Sequence, residues 1–149
     1  MIKLAVALDG VTQIGLDTSP FIYFVERNPV YVDRVREVVR RIAAGTIIGH
    51  TSVITLTEVL VQPLRQGNAL LAQRYRRFLT RSRNLVLDPI HSSVAERAAE
   101  LRARHGLRTP DALHLATALS SNCTVFLTND IRLQRVTEIQ VLVLDELEL

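Results

Sequence analysis

Apolar residues fall into two kinds of run along this 149-residue chain. Short continuous runs bounded by polar or breaking residues read as buried strands. These are Ile14-Gly15-Leu16 closed by Asp17, Thr46 to His50, Leu85-Val86-Leu87 closed by Asp88-Pro89, Thr124 to Leu127, and Val141 to Leu144. Between them apolar residues recur at helical spacing. Val32, Val35, Val39 and Ile42 predict one helix, ended by Gly45. Two more run from about Ser52 to Leu64 and from Asn68 to Ser82, the second with Leu71, Tyr75 and Phe78 on its inner face. Val94, Ala98 and Leu101 mark another, closed by Gly106, and Ala112, Leu113, Ala116 and Leu119 mark a last one opened by Thr109-Pro110-Asp111. A cap residue followed by proline is a helix-start signal. It occurs at Ser19-Pro20, which places a helix directly after Asp17, and again at Asn28-Pro29. Asp9-Gly10 predicts a hairpin turn ahead of the first long strand.

Strands alternating with helices imply a parallel sheet covered on both faces. The expected fold is a three-layer α/β/α domain with a central, mostly parallel sheet of four or five strands. One domain spans residues 1–149, its core lying about 14–144, with no linker, repeat or tail. In such sheets ligands bind beyond the carboxyl ends of the strands.

Composition narrows the chemistry. Aromatic residues make up only 5% with no Trp, which argues against an aromatic base-stacking platform. A single Cys excludes an internal disulfide and multi-cysteine zinc sites. The only lysine is Lys3, which excludes a P-loop and nearly all Schiff-base chemistry. No apolar run is long enough to span a membrane, and the opening stretch is too short for a secretory signal. The chain reads as soluble and cytoplasmic.

Four carboxylates stand where the strand-end rule points. Asp17 closes the first long strand, Asp130 follows a late one, Asp111 begins the helix leading into that strand, and Glu58 lies one to two turns into the helix after the second strand. Four acids converging at one sheet edge would repel one another, and a divalent cation is the natural remedy. Hard oxygen ligands without a His or Cys set favour magnesium or manganese over zinc. Each acid also has a bland explanation. Asp111 could complement a helix dipole, and Asp17 and Asp130 could be turn residues. Glu58 is harder to dismiss, because Ile54 and Val61 place it on a partly apolar helix face.

Other candidates are weaker. His114 follows Asp111 by three and could share a metal with it, although a satisfied helix histidine explains it more simply. His50, His91, His105 and His114 lack metal-ligand spacing, and Ser52, Ser92 and Ser93 lie in no nucleophile elbow. Cys123 reads as a small apolar packing residue. The charge is uneven. The chain carries a formal net +3, yet between Arg65 and Arg108 ten arginines face only Asp88, Glu96 and Glu100. A solvated arginine face or a phosphate-tracking surface beside an acidic metal site would both produce this excess.

These residues resemble the PIN domain family, and within it the VapC-like ribonuclease toxins of toxin–antitoxin pairs. The resemblance lies in Leu16-Asp17-Thr18-Ser19 with Phe21-Ile22-Tyr23, Thr55-Leu56-Thr57-Glu58-Val59-Leu60, Thr109-Pro110-Asp111-Ala112-Leu113-His114-Leu115-Ala116-Thr117-Ala118, and Phe126-Leu127-Thr128-Asn129-Asp130. It runs in consistent order from about Ile14 to Leu144, and the third stretch is the most specific. It implies a magnesium- or manganese-dependent endoribonuclease with Asp17, Glu58, Asp111 and Asp130 as catalytic and metal-binding acids. Thr128 and Asn129 then support the last acid. It further implies a homodimer and a cognate antitoxin whose tail occupies the acidic groove. The stretch before Asp17 departs from many relatives, as an extra strand or an upstream start.

Rival readings fit less well. A haloacid-dehalogenase-type phosphatase wants a second acid where Ser19 stands, and a receiver domain wants a late lysine. A PIN fold used only for binding RNA or protein, and a housekeeping RNA-maturation nuclease, remain as alternatives.

Overall fold

A computed structural model describes residues 1–149. The main sheet holds five parallel strands: β2 (Gln13–Leu16), β3 (Ile48–Ser52), β4 (Leu85–Asp88), β5 (Val125–Thr128) and β6 (Gln140–Val143), in the order β4-β3-β2-β5-β6. Their side chains alternate between faces as a two-residue period demands. Val125 and Leu127 enter one core with Ile14, Leu16 and Leu142, while Phe126 enters the other. The first core is covered by α2 (Thr18–Val25), α3 (Val32–Ala43), α4 (Val53–Arg65) and α5 (Ala69–Arg81). The second is covered by α6 (Ser92–His105) and α7 (Thr109–Ser120). The expected three-layer α/β/α architecture is therefore the observed one.

Local outcomes sharpen several expectations. Ser52 and Asn68 cap their helices through side-chain oxygens, and Gly106 adopts the left-handed conformation that ends α6. The cap of α2 is Asp17, not Ser19, because Asp17 already has extended backbone and accepts from Thr18 N. Likewise Arg108 is the boundary residue of α7, and Thr109 is already helical. Asn28 works one turn early, accepting from Val30 N and Tyr31 N before α3 begins. In α3 the buried set is Val35, Val38 and Ile42, with Val39 only partly covered. In α5 it is Ala72, Tyr75 and Leu79, against which Leu71 and Phe78 pack.

The Asp9-Gly10 turn does not close a hairpin. Ile2–Lys3 (β1) pairs in parallel with Leu147–Glu148 (β7) at the far end of the chain, and the turn instead follows α1 (Leu4–Ala7). Leu4 and Leu8, one helical turn apart, bury in the main core and hold the leader against the domain. The leader is thus an extra strand, in a sheet of its own. No helix is long and apolar enough to cross a membrane.

One close approach fixes the position of α7. A Cβ built on Gly15 in β2 would lie 2.5 Å from Ala118 Cβ and 3.0 Å from Phe126 Cδ1. Only glycine there lets α7 sit this close to the sheet.

Candidate active site

Strands β2 and β5 are neighbours whose outgoing connections diverge. The chain leaves β2 for β3 on one side, and leaves β5 for β6 on the other. That is the switch point of the sheet, where a crevice opens beyond the strand ends. Leu16 and Leu127 are register partners, so the next residues, Asp17 and Thr128, stand side by side at its mouth. Asp17 N donates to Leu127 O at 2.9 Å, extending the ladder by one bond. Helix α7 runs back towards the start of β5, so its first turn lies at the same edge, while α4 starts there directly from β3.

Asp17 is held from both sides. Its Oδ1 accepts from Thr18 N at 2.8 Å and its Oδ2 from Thr128 Oγ1 at 2.7 Å. Thr128 is fully buried and its oxygen accepts in turn from Asp130 N at 3.0 Å. Burial pushes the Asp17 carboxyl above its ordinary range and the charge of Asp111 adds to this, against the opposing pull of His114 and the two hydrogen bonds.

Glu58 reaches the crevice from the second turn of α4. Its Oε1 accepts from Thr18 Oγ1 at 2.8 Å and from His114 Nε2 at 2.6 Å. An ionised carboxylate only accepts, so His114 Nε2 carries the hydrogen that points at Glu58. On the other side of the ring, Nδ1 lies 3.0 Å from Ser52 Oγ, which also accepts from Ile54 N at 3.2 Å. The contact with His114 holds the Glu58 carboxyl below its usual range despite partial burial. His114 Nε2 also lies 3.9 Å from Asp17 Oδ1, so one imidazole faces both acids. Glu58 is more open than its neighbours predict, since Val61 on the same side is itself exposed.

The other two acids are tied up differently. Asp111, in the first turn of α7, accepts from Arg108 Nε at 3.2 Å. Asp130 accepts from Arg132 Nε at 2.9 Å and Nη2 at 2.8 Å, and the guanidinium holds its carboxyl below the usual range. With Asp111 and Asp130 engaged by arginines, no three His, Cys, Asp or Glu side chains lie close enough to form a ready-made metal set. One buried polar atom has no partner, Ser19 Oγ, in the same first turn of α2 as Thr18.

Asn129 links the site to the outer loops. It donates to Tyr23 Oη at 3.2 Å and accepts from Asp145 N at 3.1 Å. Tyr23 stacks on Tyr31 at 4.5 Å, and Arg34 stands over the Tyr31 ring at 5.6 Å. Tyr31 is thus contacted by both an aromatic ring and a guanidinium. Cys123 is buried and its thiol is pushed up to about 12, mainly by that burial, which agrees with a packing role.

Sequence reasoning placed the four acids at this edge of the sheet and expected Thr128 and Asn129 to support Asp130. Instead Thr128 Oγ1 donates to Asp17 and meets Asp130 only at its backbone N, and Asn129 contacts Tyr23 and Asp145. Sequence reasoning missed Thr18, Ser52, Arg108 and Arg132, and it set His114 aside. The signal for His114 was its place three residues after Asp111, and for Thr18 its place directly after a strand-end acid.

A family model matches residues 14–139, and the family it describes is the PIN domain. The chain belongs to the PIN domain family. No match was found among curated protein sequences. Among solved structures, this PIN domain is similar to a chain of VapBC2 from Rickettsia felis bound to a DNA fragment from the promoter. The TM-score is 0.73 at 18% identity, covering 89% of this chain and 98% of that one. A toxin–antitoxin complex from Klebsiella pneumoniae gives a TM-score of 0.68 at 22% identity, covering 89% and 97%. A DNA-bound VapBC from Salmonella typhimurium gives 0.65 at 18%, covering 90% and 98%. At these identities the likeness is one of fold.

Proposed function

We propose that this PIN domain is a metal-dependent endoribonuclease and the toxin of a toxin–antitoxin pair, acting in the cytoplasm as a homodimer. The observation that carries the reading is the Asp17 carboxylate, largely buried at the switch point, fixed by two hydrogen bonds and 3.9 Å from His114 Nε2. Family membership and the recurrence of toxin–antitoxin complexes among its structural relatives support the same reading.

The donor chemistry fits magnesium or manganese. The acids are hard oxygen ligands, and burial together with like charge disfavours ionised Asp17 unless a cation compensates. Asp17 and Asp111 would hold the ion, with Asp130 and Glu58 completing the set. When bound, such an ion lowers the pKa of water and stabilises charge on a phosphate. Thr128 and Thr18 N fix the rotamer of Asp17. His114 and Thr18 hold Glu58 Oε1, leaving Oε2 free to orient the attacking water and accept its proton. Arg108 and Arg132 stand where a phosphodiester would approach and can transfer from Asp111 and Asp130 to its oxygens.

The test is cleavage of mixed single-stranded RNA and total tRNA with magnesium or manganese, and with EDTA. Wild type, Asp17→Asn and Asp111→Asn are purified identically. Metal-dependent cutting by wild type alone is expected. Equal cutting by both variants would overturn the assignment. Tight RNA binding without turnover would favour a binding-only PIN domain instead.

A further inference from the structure

The arginine excess separates into two halves once the chain is folded. On α6 and at the start of α7 three of the four arginines have partners, Arg97 being the exception: Arg102 donates to Leu107 O, Arg104 pairs with Glu138, and Arg108 pairs with Asp111. On α5 they have none. Arg74, Arg76, Arg77 and Arg81, with Arg83 just beyond, are exposed and make no ion pair or side-chain hydrogen bond. From Val59 to Leu87 the sequence holds six arginines and no acid. An ordinary solvated helix places opposite charges one turn apart, as α3 does. There Arg36 pairs with Asp33, and both Arg40 and Arg41 pair with Glu37.

Between α4 and α5 runs a groove of about 400 Å³ lined by Leu56, Gln73, Arg76, Arg77, Thr80 and Arg81. Only one of these residues is apolar. A surface that docks a folded partner has an apolar centre depleted of charge. This groove has the reverse composition, with guanidiniums and amide and hydroxyl donors suited to phosphate oxygens. The apolar concavity of the molecule lies elsewhere, lined by Leu16, Phe21, Val39, Ile42, Phe78 and Leu85.

Helix α4 stands between the groove and the acid site. Leu56 faces the groove and Glu58, two residues on, faces the crevice, about 200° away around a helix roughly 10–12 Å across. We propose that the α4–α5 groove is a backbone-binding extension of the active site, holding the phosphates of single-stranded RNA a few nucleotides from the bond that is cut. The proposal rests on the nuclease reading and adds where the strand runs. Arg76, Arg77 and Arg81 are its anchors. With no aromatic residue in its lining, the groove tracks the strand without selecting bases.

The test compares Arg76→Gln/Arg77→Gln/Arg81→Gln with a control of equal charge loss on α3, Arg36→Gln/Arg40→Gln/Arg41→Gln. Binding of a long single-stranded RNA is measured against salt in an Asp17→Asn background without metal, so that it is read independently of cleavage. Losing three phosphate contacts lowers the slope of log K against log salt by about 2. The α3 control keeps the wild-type slope. In the cleaving protein, the preference for a long strand over an oligonucleotide that fills only the crevice falls about tenfold in kcat/KM for the α5 variant. An unchanged slope, or an equal fall in the α3 control, overturns the proposal. So does a groove that takes polyglutamate but not RNA, which would assign it to an acidic protein segment. If wild type cuts nothing while the slopes differ as expected, the nuclease reading fails, and the groove stands as an RNA-backbone site but is overturned as an extension of an active site.

Discussion

The four acids of the crevice divide into an inner and an outer pair, and the two are restrained by opposite means. Asp17 and Glu58 are held by hydroxyls, a backbone N–H and an imidazole, groups that aim a carboxylate and leave much of its charge unbalanced. Asp111 and Asp130 are each met by a full guanidinium. The contacts of the inner pair fix its geometry without a cation, so the proposed ion would meet acids already in place. The outer pair is built to change partners, since Arg108 and Arg132 are themselves exposed and free to swing. Position and charge are supplied by different acids.

The largest effect expected from this division is on turnover. Asp17→Asn reduces metal-dependent cleavage to background, whereas Asp130→Asn leaves measurable activity that higher metal concentration partly restores. Equal and unrescued losses in a metal titration of both variants would erase the distinction between the pairs.

The next largest concerns aim. His114→Ala removes the donor that fixes Glu58 and lowers kcat about 10- to 100-fold, as loss of an orienting group typically does. Because His114 acts through Glu58, the double variant with Glu58→Gln is no slower than Glu58→Gln alone. Additive losses in that double-mutant cycle would show that the imidazole does something else.

The smallest effect is on stability, and its sign differs between the pairs. A carboxyl whose folded pKa is raised binds more protons folded than unfolded, so Asp17 costs stability as pH rises above its model-peptide value of 3.8. Asp130 is depressed, so its contribution is present above 3.8 and is lost as pH falls through its folded value. In metal-free protein near neutral pH, Asp17→Asn should melt slightly higher than wild type and Asp130→Asn slightly lower. The second change is below about 1 kcal/mol because Arg132 is exposed. Thermal melts across pH in EDTA check both signs, and shifts in the same direction would contradict the division.

The sheet, the helices and the placement of the four acids at one edge of the sheet were legible in the sequence because each rests on a local pattern. Strand runs end in an acid at Asp17, and Asp111 and His114 share a helical spacing. What was hidden depends on partners far apart in the chain. Thr18 serves Glu58 across 40 residues, and Ser52 serves His114 across 62. The Asp9-Gly10 hairpin was misread for the same reason, although the leader does supply an extra strand. That strand pairs with residues at the other terminus, so the Asp9-Gly10 turn had no local partner to fold back on. The cap at Asp17 was missed because that residue was read only as a candidate site acid, whereas its side chain also bounds α2.

Gly15 ties these levels together. The hydrogen atom that stands in for a side chain there sets how near α7 lies to β2, and α7 carries both Asp111 and His114. A single methyl at this position would act as a wedge against Ala118 Cβ, which cannot yield without its helix. Overpacking of that kind strains a core by about 1–3 kcal/mol. Its larger consequence would appear some distance away, where the imidazole and one acid would be lifted from the other acids together. Position 15 contributes no atom to the candidate site, yet it sets the span between the elements that carry it.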